Sequence, residues 1–287
     1  MLFATTTVAS RVERAEAEVA AEFAAAARDR GKDVMIEPIA GGMAVYGGPG
    51  EPFNKIAGLG FGGALDEPAL AALEARYDAR RAEMRVEQST LADPSVAIML
   101  TRRGYELIGY ENVLGLALTA PVVGAMAERL KEAALSGIAI VRAREDETRL
   151  WMETVTEGFL QPDRFDGPPP TETFARETLL EVYDGFVGMR SSILYLARRN
   201  GDVAGGGSAR ISEGLAQLSG AATLPPHRRR GVQSALLRAR LVDAASSGCD
   251  LAVVTTEPGS TSQQNVQRAG FELLYARAVL VRRASNR

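Results

Sequence analysis

The sequence predicts an α/β chain built from two similar units, and three observations carry that prediction. The chain has 287 residues, 46% hydrophobic and 24% charged, a balance that builds packed cores rather than disorder and allows one large or two ordinary domains. Helix-periodic stretches alternate with short strand-like runs along its length. The two halves also share a pattern at a fixed offset of 166 positions. Arg102, Gly104, Glu106, Leu107, Val113 and Leu114 recur as Arg268, Gly270, Glu272, Leu273, Val279 and Leu280, with Tyr105 matched by Phe271. At the same offset Ala69 and Leu70 fall on Ala235 and Leu236, so each half closes with helix, strand, helix, glycine stop and strand.

In the first half, residues 11–30 are rich in Ala and Glu and lack Gly and Pro, which predicts a helix. Strands are expected at 34–39 and 43–46, turning at Gly41-Gly42. The segment 52–61 (PFNKIAGLGF) leads to a helix at 67–82, with Pro68 suited to its first turn. A strand near 85–88 precedes a helix capped by Asp93 and stopped at Gly104, and a strand follows at 105–118. A helical connector is expected at 121–137.

The second half opens with a strand at 138–143 and helices at 147–159 and 172–186, separated by a loop holding Pro168, Pro169 and Pro170. Residues 193–218 alternate and break at Asn200-Gly201-Asp202 and Glu213-Gly214, as antiparallel hairpins do. No helix pattern follows Gly205-Gly206-Gly207, so these glycines mark a twisted strand or bulge rather than a phosphate loop. A loop after Leu224, a helix at 232–246, a strand at 251–256, a helix at 261–269 and final strands from Phe271 complete the chain.

Composition narrows the function. With 33 basic and 36 acidic side chains the formal charge is −3, which gives no general attraction to nucleic acid or acidic membranes. One cysteine, Cys249, excludes an internal disulfide, and one histidine, His227, leaves no zinc cluster, so no metal is expected. The start lacks a basic n-region and no run approaches a bilayer span, so a soluble, cytoplasmic protein is expected. All the basic residues except Lys32, Lys55 and Lys131 are arginine, and clustered arginine suits a local phosphate site.

Such a cluster stands at 223–237, TLPPHRRRGVQSALL. A strand ends at two prolines, an arginine-rich turn follows, and a helix opens at Gly231. Unpaired first-turn N–H groups and the positive end of the helix dipole favour a phosphate or pyrophosphate there. Gly231 lets the backbone approach a ligand closely, while Val232, Ala235, Leu236, Ala239 and Val242 pin the helix to the sheet. The missing Gly-Lys-Ser/Thr argues against a nucleotide triphosphatase loop. The corresponding loop of the first half, Phe61-Gly62-Gly63-Ala64-Leu65 before Asp66 and Glu67, has two carboxylates in place of the cations and repels an anion.

Arg228-x-x-Gly231-x-Gln233 after a strand resembles the pyrophosphate signature of the GNAT acetyltransferase superfamily. The strand LAVVTTE and the segment STSQQNVQRAGF resemble that family's later motif. The first half resembles the degenerate N-terminal copy of two-domain members. The resemblance implies two tandem domains, each with a mixed, mostly antiparallel central sheet flanked by helices. Residues 1–120 would form a copy without a cofactor site, 121–137 a helical linker and 138–287 the acetyl-CoA-binding domain. It further implies acetyl-CoA wedged between the strands ending near Thr223 and Thr255. Backbone groups of Ala222, Thr223 and Leu224 would pair with the pantetheine arm. Amides of Arg229, Arg230, Gly231, Val232, Gln233 and Ser234 would hold the pyrophosphate, with charge from Arg228 to Arg230 and a contact from Asn265, whose first-half counterpart is Met99. Two positions depart from the pattern: Gln233 replaces the usual glycine or alanine, and Val266 replaces a tyrosine that serves many members as general acid.

Acetyl transfer needs a base, and Glu257, after the strand beside the implied site, is the candidate, with a solvated loop glutamate as the plainer reading. His227 lies on the phosphate side of the loop, away from the implied thioester. Cys249 reads as structural, Trp151, Met152 and Phe159 as core or substrate wall, and Asn54 and Lys55 as turn or cleft residues. The expected activity is acetyl transfer to a primary amine of a small molecule or peptide, without nucleic-acid or membrane partners, and a homodimer stays open. A non-catalytic acyl-CoA-binding module is the alternative; a phosphate or nucleic-acid binder lacks the aromatic interleaving such binding uses.

Overall fold

The computed structural model describes residues 2–51, 53–162 and 175–284; Pro52, the three prolines 168–170 and the expected helix start at 172–174 lie outside the described residues. The first half runs α1 (Thr6–Asp29), β1 (Met35–Ile39), β2 (Gly42–Tyr46), β3 (Lys55–Ala57), α2 (Glu67–Ala79), β4 (Met84–Ser89), α3 (Pro94–Arg102) and β5 (Glu106–Ala117). There follow α4 (Ala120–Leu135), β6 (Ile138–Arg142), α5 (Thr148–Leu160), α6 (Arg176–Gly188), β7 (Ser192–Arg199), β8 (Asp202–Ser212) and β9 (Leu215–Thr223). The chain ends with α7 (Val232–Ser246), β10 (Leu251–Thr256), α8 (Thr261–Arg268) and β11 (Glu272–Arg282). The fold is mixed α/β with mostly antiparallel pairing, as the sequence predicts. Two expectations change. The first helix starts earlier, because the Thr5 hydroxyl accepts from Val8 N at 3.2 Å and caps it, and one strand, β11, stands where several were expected.

Two compact units share the chain: Phe3–Val113 with the segment from Leu273, and Leu114–Glu272. The closing strand of the second half therefore lies in unit 1. There it pairs antiparallel with β4, Arg277 opposite Ser89 and Leu280 opposite Val86, and Leu280 joins the core of Ile56, Leu70, Tyr77, Met84 and Tyr105.

The unit 1 strands are ordered β1-β2-β3-β4-β11. Helix α1 lies close to β2 because small residues, Ala20 and Ala24, meet Val45. Tyr77 of α2 is fully buried and donates its hydroxyl to Val45 O at 2.6 Å. Beneath α1 sits a buried charged network. Lys55 Nζ lies 2.8 Å from Glu16 and 2.9 Å from Glu87, and Arg277 lies 2.7 Å from Glu13, which also accepts from the Tyr275 hydroxyl at 2.8 Å. Burial and the neighbouring Glu87 push the Glu111 carboxyl up to about 7.

The unit 2 strands are ordered β10-β9-β8-β7-β6. Their hairpins turn at Asn200-Gly201 (φ 54° and 93°) and Glu213-Gly214 (φ 47° and 74°), the left-handed pairs that match strand twist. Helices α4 and α7 fill one core with Val232, Ala235, Leu236, Leu241 and Val266, and α5 and α6 fill a second with Trp151, Tyr183 and Leu196. The triple glycine is a site of close approach and a bulge. A Cβ on Gly206 would lie 2.8 Å from Val155, and Gly207 O accepts from Trp151 Nε1 at 3.0 Å.

Candidate active site

The site in unit 2 begins where two parallel strands part. β10 pairs with β9 only at Leu251–Leu215, Ala252–Ala216 and Val253–Gln217; β9 then runs six residues further, to Thr223, and β10 three, to Thr256. A bulge turns β9 away. Gly206 lies opposite Ala222 and Ser208 opposite Ser219, so Gly220 and Ala221 face Gly207 alone, and Gly220 takes φ 56°, a conformation glycine enters at little cost. Helix α5 supports the parted strand through Gly158, where a Cβ would stand 2.6 Å from that of Ala222. The buried hydroxyls of Thr223 and Thr256, at the two strand ends, have no hydrogen-bond partner among the described residues, and neither has His227 Nδ1.

Beyond β9 a short 3-10 turn, Pro225–His227, leads to α7. Arg229 (φ 56°) and Gly231 (φ 82°) are left-handed and flank Arg230, an alternation that turns successive N–H groups towards one concave side. Gly231 caps α7 without a side-chain hydrogen bond, so the first-turn amides face outward, and the side chains of Arg229, Arg230 and Ser234 are exposed around them. The loop thus has the shape of an anion cradle, with two exposed arginines at its rim.

Residues 159–271 match the family model described as the acetyltransferase (GNAT) family. A GCN5-related N-acetyltransferase from Kribbella flavida has a similar fold, with TM-score 0.59, 16% identity, and 89% of this chain and 95% of that one covered. So has a tandem GNAT protein from the clavulanic acid biosynthesis pathway, with TM-score 0.54, 16% identity, and 86% and 79% covered. A functionally unknown conserved protein from Staphylococcus epidermidis aligns at TM-score 0.53 and 8% identity over 76% and 79%. Comparison with curated protein sequences gives no match. Residues 159–271 belong to the GNAT acetyltransferase family.

The residues singled out in the sequence take different places around this GNAT domain and outside it. Arg229 to Ser234 form the cradle, and Asn265 of α8 joins it, donating Nδ2 to Gln233 Oε1 at 3.2 Å. Gln233 therefore links the first turn of α7 to α8. Arg228 is turned elsewhere: its Nε donates to Thr223 O at 3.0 Å and its Nη2 to Gly158 O at 3.1 Å and to Gln161 O, binding the loop to the carbonyl end of α5. Ala222, Thr223 and Leu224 lie on the parted end of β9 and just past it, although Leu224 N is already bonded to Ala204 O at 2.9 Å. Glu257 is exposed directly after β10, and its carbonyl accepts from Ser260 N at 3.2 Å. Val266 is buried in the core. Cys249 and Trp151 are buried, and Phe159 is half exposed. Asn54 holds a turn, accepting from Gly47 N at 2.8 Å and donating to Gly48 O at 2.6 Å, and Lys55 belongs to the buried network of unit 1.

Sequence reasoning missed Gly220 and Arg240. Gly220 signals itself as a glycine inside a strand run. Arg240 interrupts the buried stripe Leu236, Leu237, Leu241 and Ala244, which replaces the expected stripe through Ala239 and Val242. Among the described residues no group of three or more His, Cys, Asp or Glu could hold a metal ion, and no helix is long and apolar enough to cross a membrane.

Proposed function

We propose that unit 2 is an acetyl-CoA-dependent N-acetyltransferase acting on a primary amine of a small molecule or peptide. The observation that carries this reading is the parted β9–β10 pair beside an uncapped, arginine-rimmed helix start. A parted strand offers unpaired backbone groups to an amide-rich arm, and the helix start suits a pyrophosphate. The orphaned hydroxyls of Thr223 and Thr256 are polar groups a bound donor would satisfy. Acetyl-CoA supplies an electrophilic thioester carbonyl. Amides of Arg229 to Ser234 hold its pyrophosphate, Arg229 and Arg230 supply the charge, and the β9 backbone at Ala222 and Thr223 aligns the arm. Glu257 takes the amine proton, directly or through a water, as nitrogen bonds to carbon; the carbon–sulfur bond breaks and the proton ends on sulfur.

The burial of Val266 favours a second reading, a non-catalytic acyl-CoA-binding module, because no hydroxyl stands at the position from which many members protonate the leaving thiolate. Acetyl-CoA titration followed by a thiol-release assay over an amine panel separates the two. Turnover, reduced about 100-fold in kcat by Glu257→Gln with acetyl-CoA affinity kept, supports the enzyme. Binding without turnover on a broad panel supports the module, and absence of binding refutes both.

A further inference from the structure

Arg240 lies in the middle of α7, 3% exposed, and among the described residues it has no carboxylate partner. All its acceptors are backbone carbonyls: Leu236 O at 3.2 Å from Nε, and Ser208 O at 2.9 Å and Ser219 O at 3.3 Å from Nη1. Ser219 O also accepts from the Ser208 hydroxyl at 3.1 Å. Gly207, across the bulge, has no Cβ, and one added there would lie 3.3 Å from the guanidinium. Burial lowers the Arg240 pKa to about 10, which still leaves a cation at neutral pH. An uncompensated buried cation is costly. The corresponding helix of unit 1 carries no such cation. Glu74, 166 positions earlier in α2, is also buried but is paired with Arg103, whose Nε lies at 3.0 Å.

One of the carbonyls that Arg240 holds, Ser219 O, belongs to the Ser219–Gly220 peptide, where β9 leaves β10 behind. A trans peptide is planar and sends its C=O and N–H in opposite directions. With Ser219 O held by the Ser208 hydroxyl and Arg240, planarity turns the Gly220 N–H the opposite way, away from β8. A hydrogen bond from a cation polarises the amide and strengthens its N–H as a donor, and a fixed donor in a water-poor site is worth more than one in solvent.

We infer that Arg240 is a positioning residue for acyl transfer, fixing and polarising the Ser219–Gly220 peptide so that the Gly220 N–H faces the thioester oxygen. The inference rests on the acetyltransferase reading of unit 2. In the transfer it serves, the amine nitrogen bonds to the carbonyl carbon and the π pair moves onto the oxygen facing Gly220 N–H. That pair returns as the carbon–sulfur bond breaks, and the nitrogen's proton passes through the base to the thiolate.

The test uses the full chain and acetyl-CoA labelled with carbon-13 at the carbonyl, whose infrared band is read free and bound. Wild type is expected to move the band to lower frequency on binding. Arg240→Met should lose most of that displacement and about tenfold in kcat on any amine that turns over, with the Kd for acetyl-CoA within about threefold. Arg240→Lys should keep an intermediate displacement. A band and kcat in Arg240→Met equal to wild type overturn the inference and leave the acetyltransferase reading standing. If circular dichroism shows Arg240→Met unfolded, Arg240→Lys and Ser208→Ala decide: reduced displacement with intact binding supports the role, and unchanged bands overturn it. Failure of wild type to bind acetyl-CoA overturns the reading of unit 2 and this inference with it.

Discussion

The two copies of the strand–loop–helix element share their order and differ at each point a donor site needs. β3 pairs with β4 at Lys55–Arg85 and Ile56–Val86 and ends one residue later, whereas β9 continues six residues past its last partner. The loop after β3 closes on α3: Gly60 O accepts from Asp93 N at 3.1 Å, and a Cβ on Gly60 would meet Val96 at 3.1 Å. At the helix start Asp66 accepts from Ala69 N at 3.0 Å and occupies the place an anion would take, whereas Gly231 leaves α7 uncapped. Inside the helix, Glu74 paired with Arg103 stands against Arg240, which meets backbone carbonyls. The scaffold is thus shared, while a capped helix start, a shorter strand and a neutralised charge separate the unit 1 element from that of unit 2.

The largest effect should come from reversing the rim charge. Arg229→Glu with Arg230→Glu changes two exposed side chains of the cradle. It should weaken acetyl-CoA binding about 100-fold or more by calorimetry, since charge-assisted bonds contribute about 1.5–3 kcal/mol each, with the melting temperature little changed. Unchanged affinity would remove the cradle from the donor site and with it the contrast with Asp66.

A middle-sized effect should arise in unit 1. Glu111 faces Glu87, Glu16, Lys55 and Arg277, and its folded pKa of about 7 lies above its ordinary 4.5, so the folded state keeps a proton that the unfolded chain releases. This contribution is full below pH 4.5 and is lost as pH rises to about 7. The stability of wild type relative to Glu111→Gln should fall by about 3 kcal/mol over that window and stay level above it, as read from urea unfolding at several pH values. A flat difference would show that the network holds Glu111 ionised throughout. The smallest effect should be Asp66→Ala, which removes the cap of α2 and should cost about 1 kcal/mol in the same assay. No loss would mean that the carboxylate is not what satisfies that helix start.

Much of this molecule is legible in single residues. Helix α7 runs over the residues expected, because Gly231 and the apolar spacing behind it act locally, and Asp93 with Gly104 bounds α3 for the same reason. The repeat of RRGYEL in RAGFEL matches a shared order of helix, glycine stop and strand, and the arginine turn does precede the start of α7. Arg228 looked like its neighbours in the sequence but was claimed by the carbonyls at the end of α5, a contact over some 70 positions.

By itself, then, the sequence determined most of the elements, the repeat and the cations at a helix start. Those follow from local backbone preference and composition, which act within a few residues. Only the tertiary structure decided that β11 serves unit 1, that β9 outruns β10, and that Arg240 lies buried against the Ser219–Gly220 peptide. Each of these depends on strand register and on burial without a partner. Both are set by segments distant in the chain, where no pattern of neighbouring residues records them.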